Sequence, residues 1–228
     1  MRYWTSDLHK GHKKIIEYCK RPFATIEEMD EHIQKYFEQR LKVGDTLVVV
    51  GDLSMKPAFA KLFAERLSAM GVHLILVPGN HDACFEFKGR EAKAASMRGK
   101  YYQDGWKEIH QTWTTKLSNG LSVLVSHLPY GTESGLEYDQ RYQEYRPKDQ
   151  GQILIHGHLH GWYKKNGRMI DVGWDAHEGA MLSEDELIAL IEDPRHFIPA
   201  HLAGHYEERK RLGLEKTNMK GLPGQPEQ

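Results

Sequence analysis

The sequence predicts an α/β fold, and three observations carry that prediction. In the first half, apolar β-forming runs alternate with helical patterns in the order β-α-α-β-α-β, which is typical of parallel strands. In the second half, Asn119-Gly120 and Asn166-Gly167 each lie between β-forming segments, as in two-residue hairpin turns. The 228 residues are 39% hydrophobic and 28% charged, a composition typical of soluble globular proteins.

The first-half elements follow from local patterns. Residues 3–6 form the first predicted strand, and residues 12–20 carry apolar side chains at helical spacing. Thr25 with Glu28 is a capping-box pattern that predicts a second helix. Pro57 suits the first turn of a third helix, which an apolar stripe continues. The runs 46–50 and 72–77 predict strands, the first buried on both faces because it shows no alternation.

The second-half elements are mainly hairpin strands. Strands are predicted at residues 112–117, 121–126, 153–155, 162–164 and 169–172. Ser183 with Glu186 repeats the capping-box pattern and predicts a last helix. We expect one domain over residues 1–195. Residues 196–228 form a C-terminal extension, expected to be partly disordered because Gly, Pro, Lys, Glu and Gln dominate from about Leu212 onward.

Charge and cysteine content narrow the classes of function. The net charge of −1 disfavours a stable nucleic-acid partner or an anionic membrane surface, both of which select basic chains. Two cysteines cannot form a disulfide framework, and neither a secretory signal nor a membrane-spanning run is visible. We therefore expect a cytoplasmic protein. The 14 histidines direct attention to metal ligands.

Metal-binding side chains follow five of the predicted strands. They are Asp7 with His9, Asp52, Asn80, His127, and His158 with His160, and His81 directly follows Asn80. Open α/β sheets bind ligands beyond the carboxyl ends of their strands, so these side chains are expected to converge. Carboxylate, imidazole and amide groups together suit Mn, Fe or Zn. Seven candidate ligands are more than one tetrahedral ion can bind, and they fit two ions that share a carboxylate.

This ordered series resembles the calcineurin-like metallophosphoesterase superfamily. The motifs are Asp-x-His, Gly-Asp, Gly-Asn-His-Asp, His and Gly-His-x-His, in family order from residue 1 to about residue 190. The opening stretch TSDLHKGHKKIIEYCKRPF is similar to the small stand-alone phosphoesterases of bacteria and phages. The resemblance implies a four-layer α/β/β/α sandwich of two mixed β-sheets, the metallo-dependent phosphatase fold.

The same resemblance implies roles for individual residues. Asp7, His9, Asp52 and His160 hold a first metal, and Asp52, Asn80, His127 and His158 hold a second, with Asp52 as the bridge. His81 is the catalytic imidazole near the leaving group. The ions are divalent, with Mn expected first and Fe, Zn or Ni as alternatives.

The implied activity is hydrolysis of a small phosphoester. A hydroxide held between the two ions attacks phosphorus in line, and the expected substrate is a small nucleotide-type phosphodiester. A phosphomonoesterase (nucleotidase), a nuclease and a metal-bound binding protein without turnover are the alternatives. Met55 and Pro78 stand where the protein-phosphatase branch has a carboxylate and an Arg. His81 stands where the lipid A UDP-sugar hydrolases have Arg, so both of those activities are disfavoured.

Three further features leave alternatives open. Arg21 and His12 lie in the stretch that resembles the small phosphoesterases and are predicted to contact substrate phosphate. The alternative for both is a solvated helix residue. The polar insert 131–151, rich in Tyr and Arg, either stacks a nucleobase at the rim of the site or is a plain surface loop.

Overall fold

The computed structural model describes residues 1–131 and 141–200. The strands are β1 (Arg2–Thr5), β2 (Thr46–Val49), β3 (His73–Leu76), β4 (Glu108–Ile109), β5 (Trp113–Lys116), β6 (Ser122–Val125), β7 (Ile153–His156), β8 (Tyr163–Asn166), β9 (Met169–Asp171), β10 (Leu182–Ser183) and β11 (Phe197–Pro199). The helices are α1 (Lys14–Tyr18), α2 (Ile26–Arg40), α3 (Pro57–Ala69), α4 (Glu91–Gln103) and α5 (Glu184–Glu192), with a 3-10 turn at Gln143–Tyr145.

The first sheet has the strand order β10-β1-β2-β3-β4. The strands β1 to β4 are parallel, and β10 closes the edge antiparallel to β1. Because the helices α2 and α3 connect successive parallel strands, the apolar faces of these helices pack on one face of the sheet. The predicted β-α-α-β-α-β order of the first half is therefore confirmed.

The second sheet has the strand order β11-β8-β9-β7-β6-β5. Strand β5 is antiparallel to β6, and β8 is antiparallel to β9, as the two Asn-Gly dipeptides predict. Strands β6, β7 and β9 are mutually parallel, so this sheet is mixed as well. The fold-class prediction of two mixed sheets is confirmed. The edge strand β11 is an element that the sequence analysis did not predict.

One hydrophobic core lies between the two sheets. Trp4, Val48 and Ile75 of the first sheet pack against Val125 and Ile170 of the second. On the opposite face of the first sheet, a second core forms with α2, α3 and α4. These two layers of contact fix the relative position of the sheets, and thereby the relative position of the strand ends that carry the polar motifs.

Helix capping follows the predictions. The Thr25 side chain accepts a hydrogen bond from the Glu28 amide at 3.2 Å, and α2 begins at the next residue. Ser183 and Glu186 form the complete capping box of α5. Within the described ranges, no helix is both long and apolar enough to cross a bilayer. Residues 201–228 of the predicted C-terminal extension and residues 132–140 of the insert lie outside the described residues.

Candidate metal centre

The predicted ligands follow the carboxyl ends of strands from both sheets. Asp7 and His9 follow β1, Asp52 follows β2, Asn80 follows β3, His127 follows β6, and His158 and His160 follow β7. Backbone hydrogen bonds continue past the strands: the Asp7 amide donates to Gly51 O and the His9 amide to Asp52 O, both at 3.0 Å. Because the sheets pack face to face, ligand-bearing loops from both of them meet.

Five of these residues have a left-handed backbone. They are Asp7, His9, Asp52, His158 and His160, with φ between 48° and 75°. Only eight non-glycine residues in the described parts of the chain have positive φ. Such backbone is strained by about 1–3 kcal/mol per residue and clusters at functional sites. The strain therefore marks the same residues that the sequence motifs select.

A first group of ligand atoms contains Asp7, His9 and His160. Asp7 Oδ1 lies 3.9 Å from His9 Nε2 and 3.7 Å from His160 Nε2. All three residues are buried, and one ligand atom from each lies within 4.8 Å of the others. Spacings of this size suit atoms that surround one ion at about 2.0–2.2 Å each.

A second group contains Asp52, His127 and His158. Asp52 Oδ2 lies 3.3 Å from His127 Nε2, and the three ligand atoms lie within 4.8 Å of one another. The side chain of Asn80 is also buried, and within the described part of the chain neither amide atom has a hydrogen-bond partner. These are the residues that the sequence analysis assigned to the second metal.

The two groups meet at one carboxylate. Asp52 Oδ2 lies 3.6 Å from His9 Nε2 of the first group and 3.3 Å from His127 Nε2 of the second. Its other oxygen, Oδ1, accepts a hydrogen bond from the His81 amide at 2.9 Å, which fixes the orientation of the carboxylate. Asp52 thus lies between the two groups, and its role as a bridge between two metals stays a prediction.

In several of the predicted ligands, one polar side-chain atom is hydrogen-bonded to the protein and the other faces inward. Asp7 Oδ2 accepts hydrogen bonds from Ser6 Oγ and the His158 amide, whereas Oδ1 has no partner among the described residues. His127 Nδ1 lies 2.8 Å from Val50 O and donates to it, so Nε2 is the ring nitrogen that faces inward. His9 has neither ring nitrogen paired in the described structure. Unpaired buried acceptors are rare, and this donor set fits divalent cations.

The pKa shifts of the site also fit a site for divalent cations. Burial raises the pKa of Asp7 and lowers the pKa of His9 well below its ordinary value, so His9 is a neutral ligand. Burial also raises the pKa of Asp52, but the His127 and His81 imidazoles outweigh that effect and lower it well below the usual range. A buried carboxylate such as Asp7 requires a compensating positive charge, which bound cations supply.

His81 lies beside the shared carboxylate. Its Nε2 is 3.9 Å from Asp52 Oδ2, and its ring centroid is 5.3 Å from that of His9. The side chain is 10% exposed, so it reaches the centre from the solvent side. This placement is consistent with the predicted catalytic role, which stays a prediction.

Arg21, which the sequence analysis expected to contact substrate phosphate, forms a buried ion pair with Asp175. Its guanidinium forms a fork with Asp175 through Nε and Nη2, both at 2.8 Å. It also donates to Leu8 O and Asp7 O at 2.8 and 2.7 Å. The residue is 6% exposed, and these partners together with Met29 Sδ engage its donors. Arg21 therefore anchors the loop that carries Asp7 and Leu8, and its predicted contact with substrate phosphate stays a prediction.

His12 lies at the edge of the first group. Its ring centroid is 5.4 Å from that of His9, and the half-buried environment lowers its pKa to about 4, mainly through desolvation. It is therefore neutral near neutral pH. The predicted contact between His12 and substrate phosphate stays a prediction.

Three residues that sequence reasoning missed support the centre. Asp175 Oδ2 accepts a hydrogen bond from His160 Nδ1 at 2.9 Å, and Cys19 Sγ lies 3.5 Å from the same nitrogen. Asp82 accepts from three amides, those of Gly79, Asp52 and Leu53, at 2.8–3.1 Å. Asp175 shortly follows β9, so the rule that found the ligands could also have found it.

Close approach of the loops depends on glycine at two positions. A Cβ on Gly79 would lie 2.1 Å from Asp52 Oδ1, and a Cβ on Gly157 would lie 2.4 Å from Asp7 Oδ2. Neither distance is sterically allowed. The glycines of the Gly-Asn-His-Asp and Gly-His-x-His motifs therefore let these backbones approach the two carboxylates.

Comparisons with known proteins find a matching family model and related sequences. A family model described as calcineurin-like phosphoesterase matches residues 3–206. Gene 66 protein of Mycobacterium phage L5 is 29% identical over 203 residues, which cover 83% of this chain and 93% of that protein. Gene 66 protein of Mycobacterium phage D29 is 30% identical over 204 residues, which cover 84% and 96%.

A solved structure shares the fold. The crystal structure of a protein of unknown function from Aquifex aeolicus aligns with a TM-score of 0.59 at 23% identity, over 84% of this chain and 99% of that one. With the family model spanning nearly the whole chain and candidate ligand groups at its strand ends, this chain belongs to the calcineurin-like phosphoesterase family.

Proposed function

We propose that this chain is a dinuclear-metal phosphoester hydrolase that acts on a small nucleotide-type phosphodiester. The observation that carries the proposal is the position of Asp52 Oδ2, within 3.6 Å of one ligand group and 3.3 Å of the other. A carboxylate shared by two groups of neutral or acidic ligands is the arrangement of two-metal hydrolytic sites. Membership of the family supports hydrolysis of a phosphoester.

The ligand residues define what each position would hold. In the proposal Asp7, His9 and His160 hold one ion, Asn80, His127 and His158 hold the other, and Asp52 joins them. When bound, two divalent ions supply the positive charge that activates water and balances the charge on phosphoryl oxygens. Mn²⁺ suits this mixed set of nitrogen and oxygen ligands, and Fe, Zn or Ni are its alternatives.

His81 supplies the proton in this scheme. Its imidazole lines the centre beside Asp52 and donates a proton from the ring to the leaving oxygen of the substrate. The Asp52 carboxylate, which accepts from the His81 amide, fixes the backbone that carries this imidazole. His160 is held in place from behind by Asp175, so the ligand shell is already oriented before substrate binds.

The first experiment tests turnover and substrate class together. The purified chain, loaded with Mn²⁺, is assayed on bis(4-nitrophenyl) phosphate, 4-nitrophenyl phosphate and a single-stranded DNA oligonucleotide, with and without a chelator. We expect metal-dependent hydrolysis with the diester favoured over the monoester. Faster monoester hydrolysis would instead identify a phosphomonoesterase, and cleavage of the oligonucleotide a nuclease. Binding of two ions without any turnover would identify a binding protein.

A second experiment tests His81. His81→Ala is expected to slow esters with poor alkoxide leaving groups by ~10²–10⁴-fold and nitrophenyl esters much less, because a good leaving group needs no proton. Metal content, measured by elemental analysis, should stay at two ions because the ligand set is untouched. His32→Ala is the matched control, since His32 lies on α2 and belongs to neither ligand group. Equal losses on both ester types would show that His81 positions the phosphoryl group instead.

A further inference from the structure

An open cavity of about 420 Å³ adjoins the candidate metal centre. It is lined by Phe87, Tyr142, Gln143, Glu144 and Tyr145. The Tyr142 ring centroid lies 6.0 Å from that of the predicted ligand His158, so one wall of the cavity lies next to the candidate metal centre.

The two walls of the cavity come from segments that follow predicted site residues. Phe87 lies on the segment that continues from His81, and Tyr142 and Tyr145 lie on the segment that continues from His127. The Phe87 ring centroid is 5.4 Å from that of Tyr145 and 6.2 Å from that of Tyr142. All three rings are half-buried, so each packs on the protein and keeps part of its surface exposed.

Hydrogen bonds join these walls and hold them in place. The Lys88 amide donates to the Tyr145 hydroxyl at 3.0 Å, which connects one wall to the other. The buried Arg146 donates to the carbonyls of Pro129, Tyr130 and Arg141 and so anchors the segment that carries Tyr142. A surface that is ordered in advance loses less entropy when a ligand binds.

The backbone of Tyr142 adds a second sign of function. Its φ is 57°, in the left-handed region that it shares with Asp7, His9, Asp52, His158 and His160. An aromatic residue rarely adopts this conformation unless surrounding structure imposes it, and such residues cluster at binding sites. The residue with this backbone conformation is therefore the one whose ring lies against His158.

We propose that this aromatic cavity binds the base of a nucleotide whose phosphate lies at the metal centre. Every nucleobase has a π-face, and stacking on aromatic rings is tolerant of base identity. The polar side chains of Gln143 and Glu144, which line the same cavity, face the hydrogen-bonding edges of the base. The proposal rests on the proposed function for the position of the phosphate, and it assigns the base to Phe87 and Tyr142.

The test compares two ligands that differ only in the base. Calorimetry measures the Kd of the Mn²⁺-loaded chain for the 5′-methylenephosphonate analogues of AMP and of ribose 5-phosphate, whose carbon–phosphorus bond resists hydrolysis. We expect the adenosine analogue to bind roughly 5- to 100-fold more tightly, the range that stacking of one base supplies. Equal Kd values for the two analogues would overturn the proposal.

Variants locate the base. Phe87→Leu keeps apolar volume but removes the stacking face, and Tyr142→Ala removes the other ring. Each should bring the ratio of the two Kd values toward one, while the Kd of the ribose analogue changes by less than about twofold. Tyr142→Phe, which keeps the ring, and Tyr102→Ala, an exposed aromatic of α4 outside the cavity, should leave the ratio unchanged. A ratio that survives both Phe87→Leu and Tyr142→Ala would place the base elsewhere.

Failure of the base site and failure of the proposed function give different results. Hydrolysis of bis(4-nitrophenyl) phosphate together with equal Kd values for the two analogues would refute the proposed base site and support the proposed hydrolase. A preference for the adenosine analogue that depends on Phe87 and Tyr142, without hydrolysis of any ester, would leave a nucleotide-binding protein.

Discussion

The two halves of the candidate metal centre are supported in different ways. The first half, around Asp7, His9 and His160, is held by charged side chains. Asp175 orients His160, and Arg21 pairs with Asp175 while donating to the carbonyl of Asp7. The partners come from outside the strands, Arg21 from the segment between α1 and α2 and Asp175 from the loop after β9.

In the second half, main-chain groups orient the ligands Asp52 and His127. His127 is oriented by the Val50 carbonyl, and Asp52 by the His81 amide. Asp82 joins the loops after β2 and β3 by accepting from three amides. Backbone partners remain when a side chain is replaced, whereas an ion pair does not. The comparison therefore indicates that single substitutions can weaken the first position and spare the second.

The largest expected effect comes from the residue common to both halves. Asp52→Asn removes the shared negative charge and should lower the rate on a diester by at least ~10²–10³-fold, the usual loss when a charge-stabilising group is removed. Elemental analysis should find fewer than two ions per chain. Asp185→Asn, on the exposed first turn of α5, is the control and should change neither. Full metal content and full activity in Asp52→Asn would show that the two halves are independent.

The next effect concerns the stability of the first half. Arg21→Met leaves the buried Asp175 carboxylate without its guanidinium partner, and we expect the free energy of unfolding to fall by about 3–5 kcal/mol. Denaturant titration measures it. The exposed fork of Arg195 with Asp193 has the same chemistry, so Arg195→Met is a matched control that should change stability little. A similar loss of unfolding free energy in both variants would show that the buried pair stabilises the fold no more than the exposed one.

A smaller effect separates the two positions directly. Asp175→Asn removes the charge behind His160, and we expect the affinity of one metal position to fall about 10–100-fold. A calorimetric titration of the metal-free chain should then show one weakened and one unchanged binding step. Asp193→Asn, at the carboxylate that pairs with the exposed Arg195, should leave both steps unchanged. Equal weakening of both steps would contradict the division of the centre into separately supported halves.

Much of the fold could be predicted because its signals are local. The side-chain cap at Thr25, the capping box at Ser183 and the two Asn-Gly turns depend on neighbouring residues, and all of them are found in the structure. The edge strands β10 and β11 have only two and three residues and carry no periodic pattern. Their pairing depends on the tertiary position of β1 and β8, which a single sequence does not express.

The residues of the site could be predicted where they belong to motifs with a defined spacing. The ordered motifs placed six carboxylate and imidazole ligands, and the structure brings these six together in two groups. The partners of the ligands could not be predicted in the same way. Arg21 and Asp175 are separated by 154 residues, so their pairing follows from packing alone. A surface-type residue such as Arg also gives no local sign that it is buried.

The left-handed backbone at five ligand positions restricts how this centre can evolve. Asp, Asn and His tolerate that conformation better than other non-glycine residues, and β-branched residues are strongly disfavoured in it. The backbone therefore favours exchanges among Asp, Asn and His at these positions, which are Asp7, His9, Asp52, His158 and His160. A change of metal preference by stepwise mutation would have to use exchanges such as Asp to Asn or His to Asn. Recruitment of a threonine or valine at these positions would first require the loops themselves to change shape.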